Sequence, residues 1–338
     1  MKACFGLLLR QLTQGRILCA LVLTVAGFSG SANADYRDHP LAIAFINKMI
    51  IEHGFEKDYL LSLMAHAEKK DSILEKISRP AERRLEWKQY SKIFLKSVRV
   101  AQGVEFWQQH KETLLRAERE YGVPPEIILG ILGVETRYGR IMGNDRVLDA
   151  LTTIGFDYPK RGKFFRGELE AFMLMVREQS FDPLALKGSY AGAMGYGQFI
   201  SSSYRAYAVD FDGDNVADIL TNPVDAIGSI ANYFAKHGWQ AGQPVTMPLR
   251  ESKSADQSLK NDNLKPKHTV ASLKKAGYSA SQPLSGKLPA NVVSLNGDNG
   301  EELWLGLKNF YVITRYNHSR LYAMAVYQLS QMIAEEIK

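Results

Sequence analysis

Apolar residues recur at helical spacing along most of the chain. Ile43, Ile46 and Ile50 form one stripe over 40–52, and Gly54 ends it. Leu61, Met64 and Ala65 mark a second helix that Asp58 can cap. A short third follows over 71–77, punctuated by Arg79-Pro80. The longest pattern covers 86–119, with a bend or boundary at Gly103. Its Tyr90, Phe94, Phe106 and Trp107 read as core, although the Tyr90 hydroxyl needs a partner and can face a cleft. A turn at 121–125 places Pro125 in the first turn of an apolar helix ending near Glu135. Further helices are predicted over 146–154 and 164–179, and another starts at Asn222-Pro223. From 242 to about 300 the period weakens; 269–273 and 290–295 predict strands. Helical character returns at 301, with a last helix from about Arg320. The fold class expected is mainly α, α+β overall. A helical N-terminal region over 35–110 precedes a core over 111–241, a small β-rich or flexible insertion over 242–300 and a C-terminal return over 301–338.

The first 34 residues stand apart. Lys2, Arg10 and Arg16 precede an apolar run from Ile17 to Phe28, and small residues follow to Ala34. This is the form of a secretory signal cleaved before Asp35, with retention as an N-terminal anchor the alternative. Both cysteines of the 338-residue chain, Cys4 and Cys19, lie there. The mature chain would therefore carry no disulfide, thiol nucleophile or cysteine metal site. The formal net charge of +6 suits an anionic partner. The basic residues are scattered, and no nucleic-acid-binding module is present, so a cell-wall polymer or membrane surface fits the charge as well.

Three stretches carry candidate chemistry. Glu135 shares a helix face with Ile128 and Leu132. A carboxyl group with a poor solvent on one side can stay protonated near neutral pH, as a general acid must. A helix-end glutamate paired with Arg137 or Arg140 is the bland alternative. The segment 187–199 holds four glycines, whose spacing excludes a phosphate loop. It reads as the wall of a sugar or peptide groove, with Ser189, Tyr196 and Gln198 offering hydrogen bonds, or as a tight helix junction. Asp210, Asp212, Asp214 and Asp218 sit at relative positions one, three, five and nine, with the Val216 carbonyl at seven. That spacing resembles an EF-hand loop around a hard cation. It departs from the motif at Gly213, Asn215 and Thr221, and Asp225 is a further candidate to close the shell. An acidic solvated turn is the alternative.

Taken together, the Glu135 to Gly139 block, the Gly188 to Phe199 block, the Asp-rich loop and Asn309 to Asn317 resemble the lytic transglycosylase B family. The resemblance implies a lysozyme-like helical core and cleavage of bacterial peptidoglycan. It implies Glu135 as acid and later base, with Tyr90, Ser189, Gln198, Tyr233, Asn317 and Tyr322 lining the glycan cleft and Lys160 and Arg161 contacting the polymer. It implies structural calcium and no catalytic cofactor. The family often has Met-Pro after Gln-Phe, whereas this chain has Ile200-Ser201. The reaction implied splits the β-1,4 bond between N-acetylmuramic acid and N-acetylglucosamine and closes a 1,6-anhydro ring. A lysozyme-like hydrolase and a noncatalytic wall-binding protein are the other two readings. The expected setting is a monomer in the periplasm, acting on glycan strands, with cell-wall synthesis or remodelling proteins as candidate partners.

Overall fold

A computed structural model of the chain describes residues 35–78 and 85–338. The expected secretory signal over 1–34, both cysteines and Arg79-Pro80 lie outside the described residues. Three short helices open the structure: α1 (Pro40–His53), α2 (Lys57–His66) and α3 (Asp71–Ser78). The ring of His39 accepts the Leu41 amide at the start of α1, and Gly54 closes it in the left-handed region at φ 64°. Asp58 lies inside the first turn of α2, and Glu56 takes the N-cap position instead.

The predicted 86–119 helix is two helices, α4 (Trp87–Phe94) and α5 (Ser97–Tyr121), broken at Leu95-Lys96 and kinked at His110. Gly103 neither bends nor ends the helix. It clears space for the Tyr138 hydroxyl, which a Cβ would meet at 2.5 Å. Next come α6 (Pro125–Thr136), α7 (Val147–Asp157), α8 (Gly162–Gln179), α9 (Ser201–Tyr207) and α10 (Pro223–Lys236). Nearly every residue of α6 is buried, as its unbroken apolar run requires. It packs against α5 and against the last helix, α13 (Arg320–Glu336). At that crossing a Cβ on Gly130 would stand 2.7 Å from the Val326 carbonyl, so glycine permits the close approach.

Two short strands, β1 (Asp145–Arg146) and β2 (Lys187–Gly188), pair antiparallel and bring the glycine-rich segment beside the turn after α6. The insertion holds β3 (Thr246–Glu251), β4 (His268–Thr269), α11 (Val270–Lys275), β5 (Tyr278–Ala280), β6 (Pro289–Gly297) and β7 (Gly300–Gly306). Its sheet runs in the order β4-β6-β7-β3-β5, antiparallel throughout, with Val293 opposite Trp304. Two expectations are corrected here. Residues 270–275 are helical, started by a capping box between Thr269 and Ser272. Residues 301–306 are strand, because Leu303 and Leu305 pair across β6 in a hairpin. Only after it does α12 (Lys308–Tyr316) begin.

β6 has two buried faces. Val293 and Leu295 join the helical core, while Ala290 and Val292 join a smaller core with Leu249, Leu273, Tyr278, Leu305 and Leu307. Alternate residues of a strand point oppositely, so one strand seals both cores and fixes the sheet against the helices. The mainly helical architecture with a small sheet is the one expected from the pattern.

Candidate active site

Glu135 occupies the last turn of α6 and is partly exposed. Three consecutive residues with positive φ follow it: Arg137 at 51°, Tyr138 at 61° and Gly139 at 83°. Such a run is sterically disfavoured for two of the three and persists only where neighbours over-determine it. Here they do. The Thr136 hydroxyl donates to the Tyr196 carbonyl at 2.8 Å and accepts the Gly139 amide at 3.0 Å. Any side chain at 139 would overlap the Tyr196 ring. The Tyr138 ring is buried between Gly103 and Gly133. Arg99 donates to the Gly133 carbonyl at 2.9 Å, satisfying an end carbonyl of α6 with a cation. Arg137 reaches Gln102 and Arg140 reaches Glu105 at 2.6 Å, so both neighbouring guanidiniums are engaged on α5.

The Tyr322 hydroxyl, from α13, donates to Glu135 Oε1 at 2.6 Å. Burial pushes the Tyr322 hydroxyl far above the ordinary tyrosine range, and the Glu135 charge and neighbouring Tyr316 and Tyr90 push it further. It therefore remains a proton donor at neutral pH. Tyr316 lies nearly parallel to Tyr322, 11° between ring planes and 6.5 Å between centroids. Its hydroxyl donates to the Gly197 carbonyl at 2.6 Å, an approach that a Cβ on Gly197 would block at 2.8 Å. α6, α12, α13 and the glycine-rich segment thus converge on one carboxyl group. Tyr316 was not singled out in the sequence. It ends α12 as the next-to-last residue of the Asn309–Asn317 block, and its place beside Asn317 is the one local signal.

Tyr90 is buried on α4, close enough for its electrostatic influence to reach Tyr322. Gln198, at φ 51°, donates to the Met142 and Gly195 carbonyls and keeps its side-chain oxygen available. The Ser189 hydroxyl accepts the Ala193 amide at 3.1 Å within the same loop. Asn317 follows α12 and uses its backbone carbonyl to accept the Ser319 amide. Tyr233 stands behind Tyr316, 4.8 Å between centroids, and donates to the Arg315 carbonyl at 2.6 Å. It is buried in a cluster with Phe199, Tyr207 and His237. Lys160 and Arg161 are exposed on the turn before α8, in a recess of about 760 Å³ that also includes Ser202.

The acidic loop joins α9 to α10. Carboxylate oxygens of Asp210, Asp212, Asp214 and Asp225 lie within 4.8 Å of one another, a donor set that fits a hard divalent cation. Asp218 is directed elsewhere: its carboxylate accepts the Leu220 and Thr221 amides and the Thr221 hydroxyl. The Val216 amide donates to Asp214 at 2.8 Å, and Asn215 takes the left-handed conformation at φ 73° that glycine supplies in the standard loop. Asp225 also accepts the Phe211 and Asp218 amides, tying the loop to α10. Burial raises the Asp225 carboxyl above its ordinary value, against the lowering effect of those amides.

A family model described as "Transglycosylase SLT domain" matches residues 38–331. The chain belongs to this family. It is 47% identical over 309 residues to the membrane-bound lytic murein transglycosylase B of Escherichia coli K12, covering 89% of this chain and 84% of that protein. Among solved structures, the catenated lytic transglycosylase SltB1 of Pseudomonas aeruginosa is 49% identical. It superposes with a TM-score of 0.87 over 90% of this chain and all (100%) of that one. The Escherichia coli lytic transglycosylase Slt35 in complex with calcium is 46% identical, with a TM-score of 0.83 over 90% and 96% of the two chains. The match spans the Glu135 turn, the glycine-rich segment and most of the last helix, and the chain is an enzyme of this family. Among the described residues, no helix is long and apolar enough to cross a membrane.

Proposed function

We propose that the Glu135 cleft cleaves the β-1,4 bond between N-acetylmuramic acid and N-acetylglucosamine in peptidoglycan, leaving a 1,6-anhydromuramyl end. The carrying observation is the 2.6 Å bond from the buried Tyr322 hydroxyl to Glu135 Oε1 in a chain of this family. The bond orients the carboxyl group that carries the transferable proton. Glu135 gives that proton to the departing glycosidic oxygen. The muramyl 2-acetamido group stabilises the developing charge at C1. The Glu135 carboxylate then takes the proton of the same sugar's C6 hydroxyl, and C6-O closes on C1. One carboxyl group serves twice, whereas most glycosidases need a pair. Closure is intramolecular, so holding C6-O over C1 supplies most of its advantage over water.

The side-chain oxygen of Gln198 and the side chain of Asn317 suit hydrogen bonds to the sugars, Tyr90 and Ser189 flank them, and Tyr233 supports Tyr316 from behind. Lys160 and Arg161 suit carboxylates of the attached peptide. Calcium would be held by Asp210, Asp212, Asp214 and Asp225, with the Val216 carbonyl, and would brace α9 against α10 rather than take part in bond cleavage. Asp218 then orders the loop. The enzyme works in the periplasm, where an N-terminal signal would deliver it.

Incubation of the mature protein with purified peptidoglycan should release 1,6-anhydromuramyl products, read by mass spectrometry. Glu135→Gln should lower the rate by at least about a thousandfold, since it removes both proton-transfer roles. Reducing muramyl ends alone would instead assign a hydrolase, and an unchanged rate in Glu135→Gln would remove Glu135 from the reaction. For the cation, native mass spectrometry should show one calcium mass increment that chelation removes. Added calcium should raise the melting temperature by mass action. A spectrum without the increment rules the site out.

A further inference from the structure

The sheet insertion reaches the Glu135 site through one guanidinium. Arg320 is the first residue of α13, where the unpaired amides of a helix carry partial positive charge and a cation is disfavoured. It is only partly exposed, and its Nε is buried with no hydrogen-bond partner among the described residues. Burial lowers the pKa of the guanidinium, against the attraction of the Asp262 charge. A residue so placed is unfavourable for the helix that carries it. What it gains is a bond across the fold: Arg320 Nη2 donates to the Asn261 carbonyl at 2.6 Å, 59 residues away.

Asn261 holds that carbonyl still. It lies between β3 and β4 at φ 57°, a left-handed conformation that asparagine tolerates better than most residues. Its amide donates to the Val292 carbonyl at 2.9 Å. Its side chain closes on the Ser294 backbone in both directions: Oδ1 accepts the Ser294 amide at 3.0 Å, and Nδ2 donates to the Ser294 carbonyl at 2.8 Å. These bonds fasten Asn261 to β6, the strand whose two faces seal both cores. Asp262 beside it is paired with His268 at 2.8 Å.

The far end of the link is the group that orients the acid. Tyr322 stands two residues after Arg320 in the same helical turn, with its hydroxyl on Glu135 Oε1. That turn is weakly closed by its own cap, since the Ser319 hydroxyl accepts the Tyr322 amide at 3.3 Å, beyond the usual range of such bonds. The body of α13 is held independently, by α6 and, at Tyr327, by the Trp304 ring. The contact with Asn261 therefore bears on the first turn rather than on the whole helix.

We infer that Arg320 is a positioning residue for the Glu135 reaction: through the Asn261 carbonyl it holds the first turn of α13 where the Tyr322 hydroxyl meets Glu135. The insertion then serves the site as a fixed support, although none of its residues need touch the substrate. The inference rests on the murein reading of the Glu135 cleft and deepens it.

The test is a double-mutant cycle with the mature protein on purified peptidoglycan. Arg320→Met keeps the apolar stem and removes the bond; it should lower kcat about fivefold with KM held within about twofold. In a Tyr322→Phe background the same change should cost nothing further, because the hydroxyl it positions is already gone. Arg320→Lys, which can still donate to the carbonyl, should recover most of the lost kcat. Asn261→Gly keeps the left-handed backbone and removes both side-chain bonds to Ser294, so it should lower kcat in the same sense, again only where Tyr322 is intact. Parental kcat in Arg320→Met and Asn261→Gly overturns the inference. So does an equal loss with and without the Tyr322 hydroxyl, which would assign Arg320 to the fold at large. A rise in KM at unchanged kcat also overturns it, and makes Arg320 a substrate contact. In each of these cases a parent protein that still cleaves leaves the cleft reading intact; a parent protein that releases no muramyl products defeats that reading and this inference with it.

Discussion

At the scale of single residues, the site is a carboxyl group oriented by a hydroxyl. Tyr322→Phe keeps the ring and removes only the 2.6 Å bond to Glu135. Loss of a charge-assisted bond of this kind removes roughly 1.5–3 kcal/mol. We expect kcat to fall about tenfold or more while the melting temperature moves by no more than a few degrees, measured on purified murein and by calorimetry. A variant with the parental kcat would show that Tyr322 does not position Glu135. Glu135 was legible in the sequence because an apolar helix ends in a lone acid. Its partners were less so: Tyr322 came from a motif resemblance, and Tyr316 was passed over. Their hydroxyls meet Glu135 and Gly197 across 187 and 119 residues of chain, a separation that no local pattern encodes.

Among the elements, the positions of α6 and α13 decide whether those residues meet. Gly130 and Gly133 allow the two helices to touch through backbone and short contacts. A larger residue there would push Tyr322 away from Glu135. The start of α9 offers a cleaner test. Ser201 occupies the first helical position, is fully buried, and its hydroxyl has no partner. Ile200 before it is extended at φ −73° and ψ 162°, a conformation that tolerates a following proline. Ser201→Pro removes the stranded hydroxyl and restricts the unfolded chain, a gain of about 1 kcal/mol. The melting temperature should rise by roughly 2–4 °C. A fall would mean that the pyrrolidine ring cannot be accommodated in the tight turn after Phe199. Misassignments at this scale share one cause. The 270–275 segment is rich in residues that suit either state, and 301–306 becomes strand only because β6 lies beside it.

For the molecule as a whole, buried tyrosines set the alkaline limit. Burial is the leading cause that raises the hydroxyls of Tyr36, Tyr138, Tyr204, Tyr233, Tyr316 and Tyr322 above the ordinary value of 10.0. A group whose folded pKa exceeds its unfolded one contributes stability that is complete below the unfolded value and is lost as pH rises through the folded one. Stability should therefore fall steeply above about pH 10. Absorbance of tyrosinate near 295 nm should rise for these residues only as helical circular dichroism is lost. Full ionisation near pH 10 with the helices intact would contradict the burial of this set.

The chain alone determined the periodic features: the helices, the lone acid at the end of α6, the glycine-rich segment and the acidic loop, because each is written in neighbouring residues. Helical class and the family resemblance followed from those local blocks and their order. Tertiary structure alone decided which groups touch. It turned the tyrosines of α12 and α13 onto Glu135 and Gly197, directed Asp218 into its own turn while Asp225 joined the carboxylate cluster, and made β6 serve two cores. The physical reason is that hydrogen bonds and side-chain packing act over a few ångströms, whereas the residues they join here are separated by up to 187 positions along the chain.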